Sequence, residues 1–297
     1  MITVCGEGLV DLVPMSDGAN GTDCRLSPLR PALGGGPFNV AIAAARQDAP
    51  TQLLSRLSRD NFGAALVDAL QAEGVGTSLI QRGDEPTTLA VTSRNLDGSA
   101  EYTFYLDGTA DRFVDPPTEI TTDIACFGTV SLALEPGASR LKALLHRLSA
   151  AGTFIALDPN IRPFYATDAH RDFIYSLLPD VDLLKLSDEE DEFLQHPTAP
   201  IKMITRGGAG IEVIVGGETV VASAPAITVA DTIGAGDTVM GCVLAEIHRL
   251  CGGENVREQA ANFTLPQWHD IASYAANAAA INCTRYGANP PRRGELA

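Results

Sequence analysis

Short apolar runs alternate with longer Ala-rich or amphipathic runs along most of this 297-residue chain. Residues 2–5 read as a strand, and 38–46 as an Ala-rich helix behind a Gly-Gly-Gly-Pro turn. Strand and helix recur at 52–56 and 63–73, at 124–132 and 140–150, at 154–157 and 171–178, and at 183–186 and 189–194. This rhythm predicts an α/β fold built from βαβ units, a central mostly parallel sheet flanked by helices on both faces. Ligands of such sheets lie at the carboxyl ends of the strands.

Two regions break the rhythm. Residues 12–33 are polar and turn-rich, with Asp17-Gly18, Asn20-Gly21 and three prolines. Residues 87–94 and 100–106 alternate around Asp97-Gly98, a hairpin signal. Neither fits a βα unit. Together they predict a small β-sheet lid over the strand ends, inserted from about 12–33 and 85–112 into one domain spanning 1–297; two unrelated surface excursions are the alternative. Residues 203–205, 210–215 and 219–222 form a further hairpin-like set with Gly216-Gly217 as its turn.

Composition narrows the partners. At 45% hydrophobic and 20% charged, the chain supports an ordinary globular core. A formal charge of −16 argues against nucleic acid and against anionic membranes. It leaves room for a phosphate held by a local nest of amides. The six cysteines form no C-x-x-C pair, which fits reduced thiols in the cytoplasm. The N-terminus lacks the basic and apolar regions of a secretory signal, and no apolar run is long enough to span a bilayer.

The most informative stretch is Asp231-Thr232-Ile233-Gly234-Ala235-Gly236-Asp237. It follows a β-rich run at 219–229 and opens an apolar helical run at 238–250. A Gly-Ala-Gly turn at a helix start frees backbone amides that attract an anion. A carboxylate at Asp237 would repel that anion unless it has its own task, and taking a proton from an attacking hydroxyl is the economical one. Gly34-Gly35-Gly36-Pro37-Phe38-Asn39 lets a ligand approach the backbone, with the Asn39 amide turned toward it; a tight turn with an N-terminal Pro is the plainer reading. Asp11 ends Glu7-Gly8-Leu9-Val10-Asp11, where its two oxygens suit paired hydroxyls or simply water. Asp158-Pro159-Asn160-Ile161-Arg162-Pro163 is a proline-fixed loop that leaves Asn160 and Arg162 to reach a polar ligand. Lys185 ends an apolar strand and needs a phosphate or carboxylate partner. Asp188, Glu189 and Glu190 read as helix capping, with one of them available to a hydrated Mg²⁺. P-loop, dinucleotide-fingerprint, H-E-x-x-H and G-x-S-x-G patterns are absent.

Taken together, Gly34 to Asn39 and Asp231 to Asp237 resemble the two signatures of the PfkB, or ribokinase-like, carbohydrate kinases. The segments at 104–112, 158–163 and 284–291 look most like bacterial fructokinases. The resemblance implies a ribokinase-like fold and ATP-dependent phosphorylation of a sugar's primary hydroxyl, with D-fructose as the expected acceptor. It implies Asp237 as base, with Gly234, Ala235 and Gly236 around the anion hole. Asp11, Gly34, Gly35, Asn39, Phe104 and Arg162 would meet the sugar. Lys185, Thr205, Gly207, Gly210 and Asn277 would lie along ATP. Glu190 would hold Mg²⁺ through water, and Asp231 a monovalent cation such as K⁺. A homodimer through the lid is also implied. Departures are Ser187, where the family's N-x-x-E motif has asparagine, and Ile233, where threonine is common. Kinases of the same family for 2-keto-3-deoxygluconate, ribose, a nucleoside or aminoimidazole riboside stay open, as does a non-catalytic sensor on the same fold.

Overall fold

The computed structural model describes residues 1–15, 28–94 and 100–296, with side chains at all of these except 92–94 and 100–102. The turns expected at Asp17-Gly18, Asn20-Gly21 and Asp97-Gly98 lie outside the described residues.

The strands are β1 (Ile2–Cys5), β2 (Leu9–Pro14), β3 (Leu29–Gly34), β4 (Thr51–Ser58), β5 (Ile80–Gly83), β6 (Leu89–Arg94), β7 (Ala100–Tyr105), β8 (Ile124–Gly128), β9 (Phe154–Asp158), β10 (Leu183–Ser187), β11 (Ile201–Thr205), β12 (Ile211–Val215) and β13 (Glu218–Ala222). The α-helices are α1 (Gly36–Ala45), α2 (Asn61–Ala72), α3 (Gly137–Ala150), α4 (Asp168–Tyr175), α5 (Asp188–Phe193), α6 (Ala235–Cys251), α7 (Val256–Ala261) and α8 (Leu265–Cys283).

Nine strands make one sheet in the order β13-β12-β11-β10-β9-β8-β1-β4-β5. From β11 to β5 every pairing is parallel; β12 alone is reversed, pairing antiparallel with β11 and with β13, the latter as a hairpin turned by Gly216 and Gly217 at φ 60° and 83°. Positive φ at two central residues suits the twist of a two-residue hairpin turn. The strand order reverses between β8 and β1, which makes that junction the switch point where such sheets bind ligands.

Both faces of the sheet are covered. One core packs Ile2, Val4, Leu53 and Met203 against α1, α2, α6 and α8, with Trp268 fully buried. The other packs Cys5, Phe127, Ile155 and Leu184 against α3 and α4. Alternate residues of one strand therefore feed different cores, which is why the strands read as unbroken apolar runs.

A second sheet, β3-β2-β6-β7, is the small lid. Its β2/β3 and β6/β7 pairs are antiparallel and its central β2/β6 pair is parallel. The polar region from residue 12 thus holds more strand than its turn residues suggested: β2 and β3 occupy both its ends.

Other boundaries also moved. The strand expected over 124–132 ends at Gly128 and a 3-10 turn follows. The run expected to stay β-like to residue 229 leaves the sheet after Ala222, with Ile227 and Val229 exposed. The helix expected at 171–178 starts earlier, at Asp168, because Thr167 caps it by accepting from the His170 N–H. No helix among the described residues is long and apolar enough to cross a membrane.

Helices α1 and α6, which carry the two signature loops, pack through Gly241. A Cβ there would lie 2.5 Å from the Ala43 Cβ and 2.8 Å from the Val40 carbonyl oxygen. Gly241→Ala is therefore expected to destabilise the protein by about 1–3 kcal/mol through overpacking, despite alanine's better helix propensity. A lowered chemical-denaturation midpoint at unchanged m-value checks this.

Candidate active site

The two signature loops converge at the carboxyl ends of the parallel strands. Gly234 takes the left-handed conformation (φ 74°) as N-cap of α6, so the chain enters the helix through a tight turn. A Cβ there would also strike Ala288 at 2.5 Å. The Ala235 N–H, expected at the anion hole, is engaged by the Thr232 carbonyl at 3.2 Å, whereas the next amides, Gly236 and Asp237, have no partner among the described residues and are the open first-turn donors.

Asp237 lies in this first turn and is 8% exposed. Its Oδ2 accepts a hydrogen bond from Asn39 Nδ2 at 2.8 Å. The Asn39 amide, expected to face a ligand, therefore orients the candidate base. Burial raises the Asp237 pKa, against the opposing pull of Asn39, Lys185 and Arg162.

Lys185 lies at the middle of β10, not at its end as expected, and pairs with Asp158 Oδ2 at 2.7 Å, both groups being buried. This settles the carboxylate half of the expectation for Lys185. A Cβ on Gly236 would lie 3.1 Å from Lys185 Nζ, so the ammonium also borders the open amides of α6. Burial works against the lysine charge, but Asp158 and Glu190 outweigh it and raise its pKa. Burial also raises the Asp158 pKa, against the pull of the Lys185 ammonium. Asp158 Oδ1 has no partner among the described residues.

Asp11 reaches the same space from the lid strand β2. Its Oδ2 would be 2.5 Å from a Cβ on Gly34, so a side chain there would displace the carboxylate. Burial and the Asp237 charge push its carboxyl up to about 6, while Arg162 acts in the other direction. Arg162 is exposed, and its guanidinium makes no hydrogen bond or ion pair among the described residues. Gly35 precedes α1 at φ 104°. Phe104 on β7 packs its ring 4.6 Å from Phe164, joining the lid to the loop that carries Arg162.

The remaining candidates sit on β11 and the turn after it, on α5 and α8, and in the segment before α6. Thr205 ends β11 and donates to the Leu186 carbonyl at 3.2 Å. Gly207 and Gly210 bound the short turn that follows. Asn277 is an exposed residue of α8. Glu190 closes a capping box with Ser187, its Oε2 accepting from the Ser187 N–H at 2.7 Å. Its Oε1 accepts from the Ile161 N–H at 2.5 Å, tying α5 to the Arg162 loop. Asp231 accepts from the amides of Ile233 (3.0 Å) and Gly287 (2.8 Å). Among the described residues no three His, Cys, Asp or Glu cluster as a metal site. A Mg²⁺ that takes most of its oxygens from phosphates and water needs only one such carboxylate; both oxygens of the buried Glu190 already accept backbone N–H bonds, which leaves it to act through water.

Sequence reasoning missed Asn282. This fully buried residue of α8 donates to the Ile233 carbonyl at 2.9 Å and accepts from the Asn289 N–H at 2.7 Å, pinning two loops together. Its signal was an amide in an otherwise apolar helical stretch.

A family model described as pfkB family carbohydrate kinase matches residues 1–293. A fructokinase of Rhizobium leguminosarum bv. trifolii is 32% identical over 267 residues, which cover 83% of this chain and 79% of that one. Among solved structures, a fructokinase from Xylella fastidiosa with bound ATP aligns with a TM-score of 0.86 at 22% identity, over 99% of this chain and 97% of that one. A fructokinase from Vibrio cholerae O395, in its fructose, ADP and calcium ion bound form, gives 0.81 at 24% identity, over 99% and 97%. The two structures share their fold with this chain.

The raised Asp11 pKa has a consequence for stability. The folded state binds this proton more tightly than the unfolded chain, so stability is lost as pH rises from about 4 to about 6. Asp11→Asn escapes that loss. At pH 7.5, without ligand, it is expected to be more stable than wild type by about 1–3 kcal/mol, and the difference should vanish below about pH 4. Urea titrations at the two pH values check it.

Proposed function

The chain belongs to the pfkB family of carbohydrate kinases, and on that premise we propose that it transfers the γ-phosphoryl group of ATP to the 6-hydroxyl of D-fructose. The observation that carries this reading is the buried Asp237 carboxylate, oriented by Asn39 beside the open amides of α6 and facing Asp11.

In this reading Asp11 holds sugar hydroxyls and aims the primary one at Asp237. Asp237 takes its proton as the oxygen attacks the γ-phosphorus in line. A base whose pKa is raised by burial holds that proton better than an ordinary carboxylate. The Gly236 and Asp237 amides and the Lys185 ammonium stabilise the charge on the phosphoryl group in flight. ATP would lie along Thr205, Gly207 and Gly210 toward Asn277. Glu190 would hold Mg²⁺ through water, and the ion would supply charge neutralisation to the phosphates of ATP. Asp231 would be the carboxylate beside a monovalent cation. The lid excludes water as a competing acceptor and joins two copies into a dimer. The cytoplasm supplies both substrates.

One observation favours a second acceptor. Arg162 is a free cation at the sugar side, and a carboxylate-bearing sugar acid such as 2-keto-3-deoxygluconate would pair with it.

Asp237→Asn is expected to lower kcat by about 10²–10⁴-fold with little change in the KM for ATP. An ADP-release assay measures it, and a near-wild-type kcat refutes the role. Run across a panel of sugars, the same assay ranks the acceptors. Arg162→Ala then separates them: a sugar acid should lose about 1.5–3 kcal/mol of kcat/KM, and fructose less.

A further inference from the structure

Glu7 takes no part in that chemistry, yet its carboxylate is 2% exposed and lies at the switch point of the large sheet. It follows β1, and its partners follow β8, so it spans the two strands between which the order reverses. Thr129 Oγ1 donates to Glu7 Oε1 at 2.5 Å. The Ser131 hydroxyl donates to Oε2, and the Ser131 N–H reaches the same oxygen at 3.3 Å. Burial raises the carboxyl to about 7, although the Ser131 and Thr129 hydroxyls pull it down. An acid this costly to bury marks the segment it holds.

That segment is strained. Thr129 takes φ 64° and ψ −159°, a region that β-branched residues rarely enter. In this pose its methyl lies directly under the glycine loop: a Cβ on Gly36 would be 2.3 Å from Thr129 Cγ2. Gly35 backs onto the same corner, its Cβ position 3.0 Å from the Glu7 carbonyl oxygen. The loop is thus seated on Glu7 and Thr129 together. It leads directly into α1 and Asn39, the residue that orients Asp237.

We propose that Glu7 is a positioning residue for the acceptor sugar: by clamping Thr129 in its strained conformation it fixes the Gly34–Gly36 loop against which the sugar lies. What the loop binds rests on the sugar-kinase reading; the clamp itself rests on geometry alone.

Crystal structures and two-substrate kinetics of Glu7→Ala and Glu7→Gln, each alone and combined with Thr129→Gly, test it. In Glu7→Ala, Thr129 should leave the positive-φ region and Gly36 should shift with it. The KM for the sugar should rise about tenfold while that for ATP stays put. Glu7→Gln keeps one acceptor oxygen and should fall between. Glycine enters positive φ without strain, so adding Thr129→Gly to Glu7→Ala should return part of the lost sugar affinity. Thr129 keeping its φ in Glu7→Ala, both KM values rising together, or no recovery with Thr129→Gly overturns the proposal. If Glu7→Ala does not fold, Glu7→Gln carries the same comparisons. A wild-type protein that phosphorylates no sugar sinks the function assigned above, and the crystal structures still decide the clamp.

Discussion

A carboxylate kept out of water without a cation in direct contact is the constraint on which the rest of this structure depends. Asp237 is buried in the first turn of α6, where the Asn39 amide is the one side chain that hydrogen-bonds it among the described residues. An isolated buried charge is expensive. Here the cost is offset at a distance by Lys185 and Arg162 and by the positive end of the helix. Each compensating group needs support of its own. Lys185 is held by Asp158, Asn39 by its place on α1, and α1 by a contact with α6 that tolerates no side chain at Gly241. The site is therefore a chain of dependencies that runs back into the core.

The charge balance around the site points the same way. Glu7, Asp11, Asp158, Glu190 and Asp237 gather near two cations, Lys185 and Arg162. The mean field is hostile to phosphate. What favours an anion is local: open amides at the start of α6 and one ammonium beside them. Strong local donors in an unfavourable field select for geometry more than for charge. Phosphate oxygens bind where the amides point and are repelled elsewhere.

The sequence made some of this visible and hid the rest for physical reasons. The alternation of strand and helix was legible because parallel strands buried on both faces must be short and apolar. The Asp231 to Asp237 loop was legible because glycines and an acid at a helix start are chemically odd. Helix α8 escaped notice: its Ala-rich sequence gives little periodic contrast, although Thr264 and Gln267 form a capping box that marked its start. Strands β2 and β3 were hidden by the turn residues and prolines of the region they flank. The 223–229 segment looked like strand because it is apolar, but its side chains are uncovered instead of packed. The contacts of Glu7 with Thr129, and of Asn282 with Ile233, join positions far apart in the chain, and no local pattern encodes such a pair.

Only Gly6, Glu7 and Gly8 separate β1 in the large sheet from β2 in the lid. That connector works as a molecular ruler. One inserted residue would advance Asp11 by about 3.3 Å and turn its side chain to the opposite face. The spacing between the carboxylate of the lid and the carboxylate of α6 is thus written into covalent chain length, and drift in the surrounding surface leaves it unchanged.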